Sequence, residues 1–309
     1  MSPLPIGTRR QLFLDDALVA RSQGVVRRLH PARKEAAAVL RADRPWEGRR
    51  VYNYGSVRRD PATGLWRMWY LARMGAGQSG RVKGGERHGD LILYAESDDG
   101  RSWRKPDLGL VAFDGDASTN ILLPGCHGSS LVHDPGADAA EPYRLVAWSW
   151  GDQRYGTWRS ADGLRWSECP LPRPIADGQE VVSVARHPDT GEYLAFHRVW
   201  GRDRTPPRRL IAASRSRDLL SWEPPETILA PDALDDPRDE PYDLSGFWYE
   251  SRFVGLLPVF RVLSYEPGRR QVDGADVSPW DGPIEAQLAS SPDGLRWRRR
   301  LELPRPHGR

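Results

Sequence analysis

Ser97-Asp98-Asp99-Gly100-Arg101-Ser102-Trp103 is the stretch from which the fold can be read. It returns as Ser160-Ala161-Asp162-Gly163-Leu164-Arg165-Trp166 and as Ser291-Pro292-Asp293-Gly294-Leu295-Arg296-Trp297, with a looser copy at Ser216-Arg217-Asp218-Leu219-Leu220-Ser221-Trp222. The four tryptophans lie 63, 56 and 75 residues apart. Self-similarity on this scale signals a stacked or radial repeat architecture. Asp-Gly is a tight-turn dipeptide, because Gly accepts positive φ and Asp bonds its own backbone. The Ser and Asp oxygens can tie down turn N–H groups, and the Trp anchors the turn on a sheet. Turn chemistry alone accounts for these residues, so they read as scaffold.

A β-rich run precedes each turn: Leu91 to Ala95, Tyr155 to Trp158, Leu210 to Ala213 and Ala286 to Ala289. Upstream of each lies a hairpin. The first has Val51 to Val57, a turn at Asp60-Pro61-Ala62-Thr63-Gly64, and Leu65 to Tyr70. Four antiparallel strands per unit with turn signals between them describe a β-propeller blade. The expectation is an all-β propeller of four to five blades in a single domain, 1–309. Blades fall at about 51–115, 116–172, 173–232 and 233–303, after an N-terminal or closing segment, 1–50. Within that segment Gln11 to Asp16 and Val25 to Pro31 read as short strands. Either residues 1–45 supply most of a fifth blade or the propeller is incomplete; where residues 10–30 complete the last blade, they are expected beside the strand near Glu285 to Ala289.

Composition limits the chemistry. The 309 residues carry 45 basic and 42 acidic side chains, a net +3, with no global field to attract nucleic acid. Thirteen Trp and ten Tyr against six Phe suit β-structure, and amphipathic rings also suit carbohydrate surfaces. Cys126 and Cys169 give neither a disulfide framework nor metal spacing, and the seven histidines lack ligand spacing. No cofactor or metal is expected. No stretch reaches membrane-span length and the N-terminus has no apolar signal core, so a cytoplasmic protein is the expectation.

Polar residues just ahead of each unit's first strand are those a propeller brings together. They are Asp43 and Glu47, then Asn120 and His127, then Asp177 and Glu180, then Asp239, Glu240 and Asp243. A ring of carboxylates suits glycoside hydrolysis, in which one acid protonates the leaving oxygen and another carboxylate activates water or attacks. Glu47, Asp177, Glu240 and Asp243 are the catalytic candidates. Trp46, Asn53, His127, Glu180 and Trp248 are the substrate-binding candidates, with Trp200 as a further stacking ring. Glu240 is chosen as general acid, because Tyr242 and Leu244 beside it would desolvate the carboxyl and raise its pKa. The rival functions are a non-catalytic carbohydrate-binding propeller and a protein-interaction scaffold.

Several segments taken together resemble a known group. They are Gln11 to Asp16 with Leu29-His30-Pro31; Gly55-Ser56-Val57 with Arg67-Met68-Trp69-Tyr70; Tyr94 to Gly100 with Trp103 and Pro106; and Glu240-Pro241-Tyr242-Asp243. In this order they resemble five-bladed β-propeller proteins related to glycoside hydrolase families 43 and 32. That resemblance implies a base Asp in the first blade, a stabilising Asp in the second and an acid Glu in the third or fourth. At the first position this chain offers Glu47 or Asp43, and the second blade offers no corresponding Asp. The Asp-turns also resemble sialidase Asp-boxes but lack the usual residue between Asp and Gly.

Overall fold

The computed structural model describes residues 6–28, 30, 32–74, 81–82, 89–202, 207–267, 270–272, 275–277 and 279–299. Leu29, Pro31 and most of the Gly-rich loop after residue 74 lie outside them. Among the described residues the regular elements are β-strands, apart from three-residue 3-10 turns at Asp16–Leu18 and Pro45–Glu47. No helix among the described residues is long and apolar enough to cross a membrane.

The strands build four antiparallel sheets that follow one another along the chain, the blades of a four-bladed β-propeller. Blade one orders β1 (Val51–Arg59), β2 (Trp66–Arg73), β3 (Asp90–Ser97) and β4 (Ile121–Pro124) side by side. It thus extends past the boundary read at 115. Blade two orders β5 (Cys126–His133), β6 (Tyr143–Ser149), β7 (Arg154–Ser160) and β8 (Ser167–Glu168). Blade three comprises β9 (Gln179–Arg186), β10 (Tyr193–Gly201), β11 (Arg208–Ser216) and β12 (Glu226–Leu229). In blade four the first strand is broken: β13 (Asp239–Pro241) and β14 (Ser245–Tyr249) both pair with β15 (Arg252–Arg261). Short pairs follow, β16 (Ser264–Tyr265) with β19 (Trp280–Asp281) and β17 (Arg270–Val272) with β18 (Ala275–Val277). The sheet is completed by β20 (Ile284–Ser291) and β21 (Arg298–Arg299).

The chain divides into two compact units: residues 34–184 with 216–224, and residues 1–33, 185–215 and 225–309. In the first, Trp69, Ile92 and Tyr94 of blade one share a buried core with Leu145, Ala147 and Trp158 of blade two. Serine hydroxyls link successive blades there. Ser56 Oγ accepts from the Leu131 N–H at 2.9 Å, and Ser130 Oγ accepts from the Val184 N–H at 2.9 Å. Gly55, beside the first serine, has no alternative, since a Cβ would stand 1.9 Å from the Trp69 carbonyl oxygen. In the second unit Leu194, Phe196, Phe253, Leu257 and Val259 form the core, with Phe253 and Trp297 edge-on or tilted about Phe196 and each other.

All four Asp-turns close in the same way. In the second, Ser160 Oγ accepts the Gly163 N–H at 2.8 Å, and Asp162 Oδ1 accepts the Leu164 and Arg165 N–H groups at 2.8 Å. Ser97 and Asp99, Ser216 and Asp218, and Ser291 and Asp293 repeat it. The backbone donors at Ser102 and Arg101 hold the Asp99 carboxyl below its usual range. The turn then reaches the preceding blade: Trp69 Nε1 donates to the Gly163 carbonyl at 2.7 Å, and Thr157 Oγ1 to the Leu219 carbonyl at 3.0 Å. Leu219 stands where the other turns have Gly and takes φ 64°. Of the motif tryptophans, only Trp222 of the loose copy is fully buried, at 2 % exposure. Trp103, Trp166 and Trp297 keep a partly exposed edge, and Trp103 and Trp297 turn their ring N–H back to the turn carbonyls of Gly100 and Gly294.

The N-terminal segment forms no strand among its described residues. It is pinned to blade four instead. The Asp15 carboxylate meets the Arg252 guanidinium at 2.7 Å and accepts from Ser290 Oγ at 3.0 Å, and both partners of the ion pair are buried. Ser290 adjoins the Glu285–Ala289 strand segment expected to receive residues 10–30.

Candidate functional site

Several of the expected site residues are enclosed. Glu47 is fully buried in its 3-10 turn. Its Oε2 accepts from the Asp43 and Arg44 N–H groups and from Lys105 Nζ, and its Oε1 accepts from the Tyr70 hydroxyl at 2.6 Å. The network continues through Asn120, which donates to the Tyr70 oxygen and accepts from Trp46 Nε1, both at 2.8 Å. Burial, joined by the Glu47 charge, pushes the Tyr70 phenol far up. Trp46 packs on Phe113 and offers no free face. Lys105 also holds Asp43, and this hydrogen bond lowers the Asp43 carboxyl.

Glu240 is likewise fully buried, on β13 opposite Phe260. Its Oε2 accepts from Arg209 Nη1 at 2.7 Å. That guanidinium lies within 4.7 to 5.6 Å of the ring centres of Trp280, Trp200, Tyr242 and Phe260. The cage explains why a carboxylate can be sealed here: its charge is met at contact distance by a cation that is itself packed on aromatic faces. The carboxyl that burial pushes up is Asp243, in the break between β13 and β14. It accepts the Leu244 N–H at 2.7 Å and feels the Arg198 charge. Asp239 pairs with Arg261. Trp248 packs on Phe253 and His187 and donates to the Glu250 carbonyl at 3.0 Å.

The remaining candidates belong to a second cluster, within residues 34–184. Both β1 and β5 carry a bulge, between Tyr52 and Ser56 and between His127 and Ser130. A bulge inserts unpaired residues and re-aims side chains. Here Asn53, Tyr54 and Gly55 lie against the single residue Tyr70 in one strand pair, and Gly128 and Ser129 against Ala147 in the other. Asn53 is exposed, Tyr52 and Tyr54 are half-buried, and their rings stack at 5.9 Å. Gly128 takes φ 49°, and a Cβ there would come within 2.9 Å of Val181 Cα. The chain of β9 therefore runs directly beside the His127 bulge. It arrives through Asp177, exposed at φ 53°, and Glu180, half-buried at φ 62°.

At the centre is Asp90, which has no exposed surface. Arg73 binds it with two hydrogen bonds, at 2.6 and 3.0 Å. Trp150 Nε1 donates to its Oδ2 at 2.6 Å, and His127 Nδ1 lies 2.9 Å from the same oxygen. Burial works against the charge on Asp90, but the hydrogen bonds from His127 and Arg73, together with the Arg73 charge, win, bringing the carboxyl down to about 2. Arg73, half-exposed, also feels Tyr52 and Glu180. The His127 ring sits 5.9 Å from Tyr54 and 5.8 Å from Trp150.

His127, Asn53, Asp177 and Glu180 were legible as candidates; Asp90, Arg73, Tyr54 and Trp150 were not. One signal was present. In the β2–β3 hairpin Trp66 faces Ser97, and counting along the antiparallel register sets Arg73 opposite Asp90. Among the described residues no group of three or more His, Cys, Asp and Glu side chains is placed to hold a metal ion.

No protein-family model matches the sequence, and no curated protein matches it significantly. Some solved structures resemble part of the chain. A glycoside hydrolase is 16 % identical over 79 % of this chain and 71 % of its own, with a TM-score of 0.49. A β-fructofuranosidase from Schwanniomyces occidentalis, complexed with fructosyl-erythritol, is 14 % identical over 79 % of this chain and 46 % of its own, TM-score 0.49. An α-L-arabinofuranosidase from Fusarium graminearum, with an iminosugar inhibitor, is 11 % identical over 76 % of this chain and 63 % of its own, TM-score 0.45.

Proposed function

We propose that the protein acts on a carbohydrate, as a glycoside hydrolase, through the cluster formed by the bulged strands β1 and β5 and the start of β9. One observation carries this reading: half-buried Tyr52, Tyr54 and Trp150 frame fixed polar groups at Arg73, Asp90 and His127, with Asn53 exposed beside them. Sugar sites combine ring faces with a few convergent, pre-positioned hydrogen-bonding groups. Acid/base work on a glycosidic bond needs carboxyl groups that substrate can reach. Glu47, Glu240 and Asp243 are 0, 0 and 5 % exposed. Asp177 and Glu180 reach solvent, and in this reading they supply the carboxyls.

A carbohydrate-binding role without catalysis is the second reading. The enclosure of Glu47 and Glu240 by Lys105, Tyr70 and Arg209 favours it. A panel of aryl glycosides and oligosaccharides, assayed for turnover and for binding by calorimetry, separates the two. Turnover that disappears in Glu180→Gln or Asp177→Asn, with binding kept, supports hydrolysis. Binding with no turnover supports the second reading, and absence of both refutes each.

A further inference from the structure

Building on the carbohydrate reading, the Asp90–His127 pair performs a function that acid/base carboxyls do not. Arg73 and Trp150 can only donate hydrogen bonds, so the Asp90 carboxylate acts towards them purely as an acceptor. His127 Nδ1, 2.9 Å from the same carboxylate, accordingly donates. A neutral imidazole that donates through Nδ1 carries its lone pair on Nε2. Among the described residues no hydrogen-bond donor reaches Nε2. The ring cannot swing away, since Tyr54 and Trp150 flank it and its side chain is only 9 % exposed.

We propose that His127 Nε2 accepts the hydrogen bond of one sugar hydroxyl, which makes His127 a specificity-determining residue and Asp90 the residue that positions it. A pre-set acceptor in an enclosed frame penalises a ligand that brings no donor, because Nε2 is then desolvated and unpaired. Sites built around a substrate hydroxyl reject the analogue lacking it far more strongly than apolar pockets reject a missing methylene. The cluster also indicates the type of sugar. Arg73 is already neutralised by Asp90, which disfavours an acidic sugar and fits a neutral one.

Two measurements test the proposal. Proton–nitrogen correlation spectra of histidine-labelled protein at neutral pH, assigned with His127→Phe, should show His127 with its hydrogen on Nδ1, and Asp90→Asn should abolish that preference. A wild-type ring protonated on Nε2, alone or on both nitrogens, overturns the proposal whether or not a sugar is present. The second measurement titrates neutral monosaccharides, oligosaccharides and their single-deoxy derivatives into wild type, His127→Gln and His127→Phe. For the sugar that binds, removing one hydroxyl should weaken wild type by about tenfold or more and leave His127→Phe unaffected. His127→Gln, which keeps an acceptor, should retain part of the discrimination. Equal discrimination by His127→Phe and wild type overturns the proposal and leaves the carbohydrate reading standing. A folded wild type that binds no sugar overturns both.

Discussion

Replacing Asp90 by Asn tests the central cluster as a piece of electrostatics, independently of any ligand. The swap keeps the shape and removes the charge that Arg73, His127 and Trp150 converge on. The folded carboxyl lies at about 2, against an ordinary value of 3.8. That gap corresponds to about 2 kcal/mol of folding stability at neutral pH. Because the folded value is the lower one, the contribution is fully present above pH 3.8 and is lost as the pH falls towards 2. Arg73 is 52 % exposed and stays solvated when its partner is neutralised, so no larger penalty for a stranded buried cation is added. Urea unfolding followed by tryptophan fluorescence should therefore separate wild type from Asp90→Asn by about 2 kcal/mol at pH 7. The separation should shrink between pH 4 and pH 2. A difference that is as large at pH 2 as at pH 7 would show that Asp90 acts through shape rather than charge, and the account of the cluster would fail.

Other outcomes follow from the scaffold. Trp222→Ala should cost about 3–5 kcal/mol, as for a fully buried aromatic, and clearly more than Trp103→Ala at a half-buried position; equal melting of the two variants would contradict the burial difference. Asp15→Ala leaves the buried Arg252 without its counter-charge and should cost about 3–5 kcal/mol. It should also free the N-terminal segment, seen as faster tryptic cleavage after Arg9 and Arg10, and an unchanged cleavage rate would show that the segment is held by other contacts. Asp162→Ala removes the acceptor of two turn N–H groups and should cost about 1–2 kcal/mol in thermal unfolding, comparable to losing a helix cap.

The Asp-turns were legible because everything they need is local. Ser160, Asp162 and Gly163 bond one another within four residues, so the repeat announced blades before any tertiary contact was known. The β-runs ahead of them were legible for a similar reason: Leu91 to Tyr94 form an unbroken buried run of large side chains. Where partners are distant, the sequence is silent. Glu240 has Tyr242 and Leu244 as near neighbours, which suggests a desolvated acid, but the group that decides its surroundings is Arg209, 31 residues back. Glu47 shows no sequence sign of Lys105, 58 residues on. In the N-terminal segment, Gln11 to Asp16 resembles a strand, yet its described residues pair with no sheet. What holds it is Asp15, reaching Arg252 across 237 positions.

The serine links between blades have a dynamic consequence. The N–H groups of Leu131 and Val184 point out of their own sheets and end on Ser56 and Ser130 of the preceding blade. Their protection from solvent therefore does not depend on a strand ladder staying closed. It depends on two neighbouring blades staying together. In hydrogen exchange these two amides act as gauges of blade separation, while the amides between β6 and β7 report the opening of a single sheet. A perturbation that loosens blades without melting them would be visible at Leu131 and Val184 first.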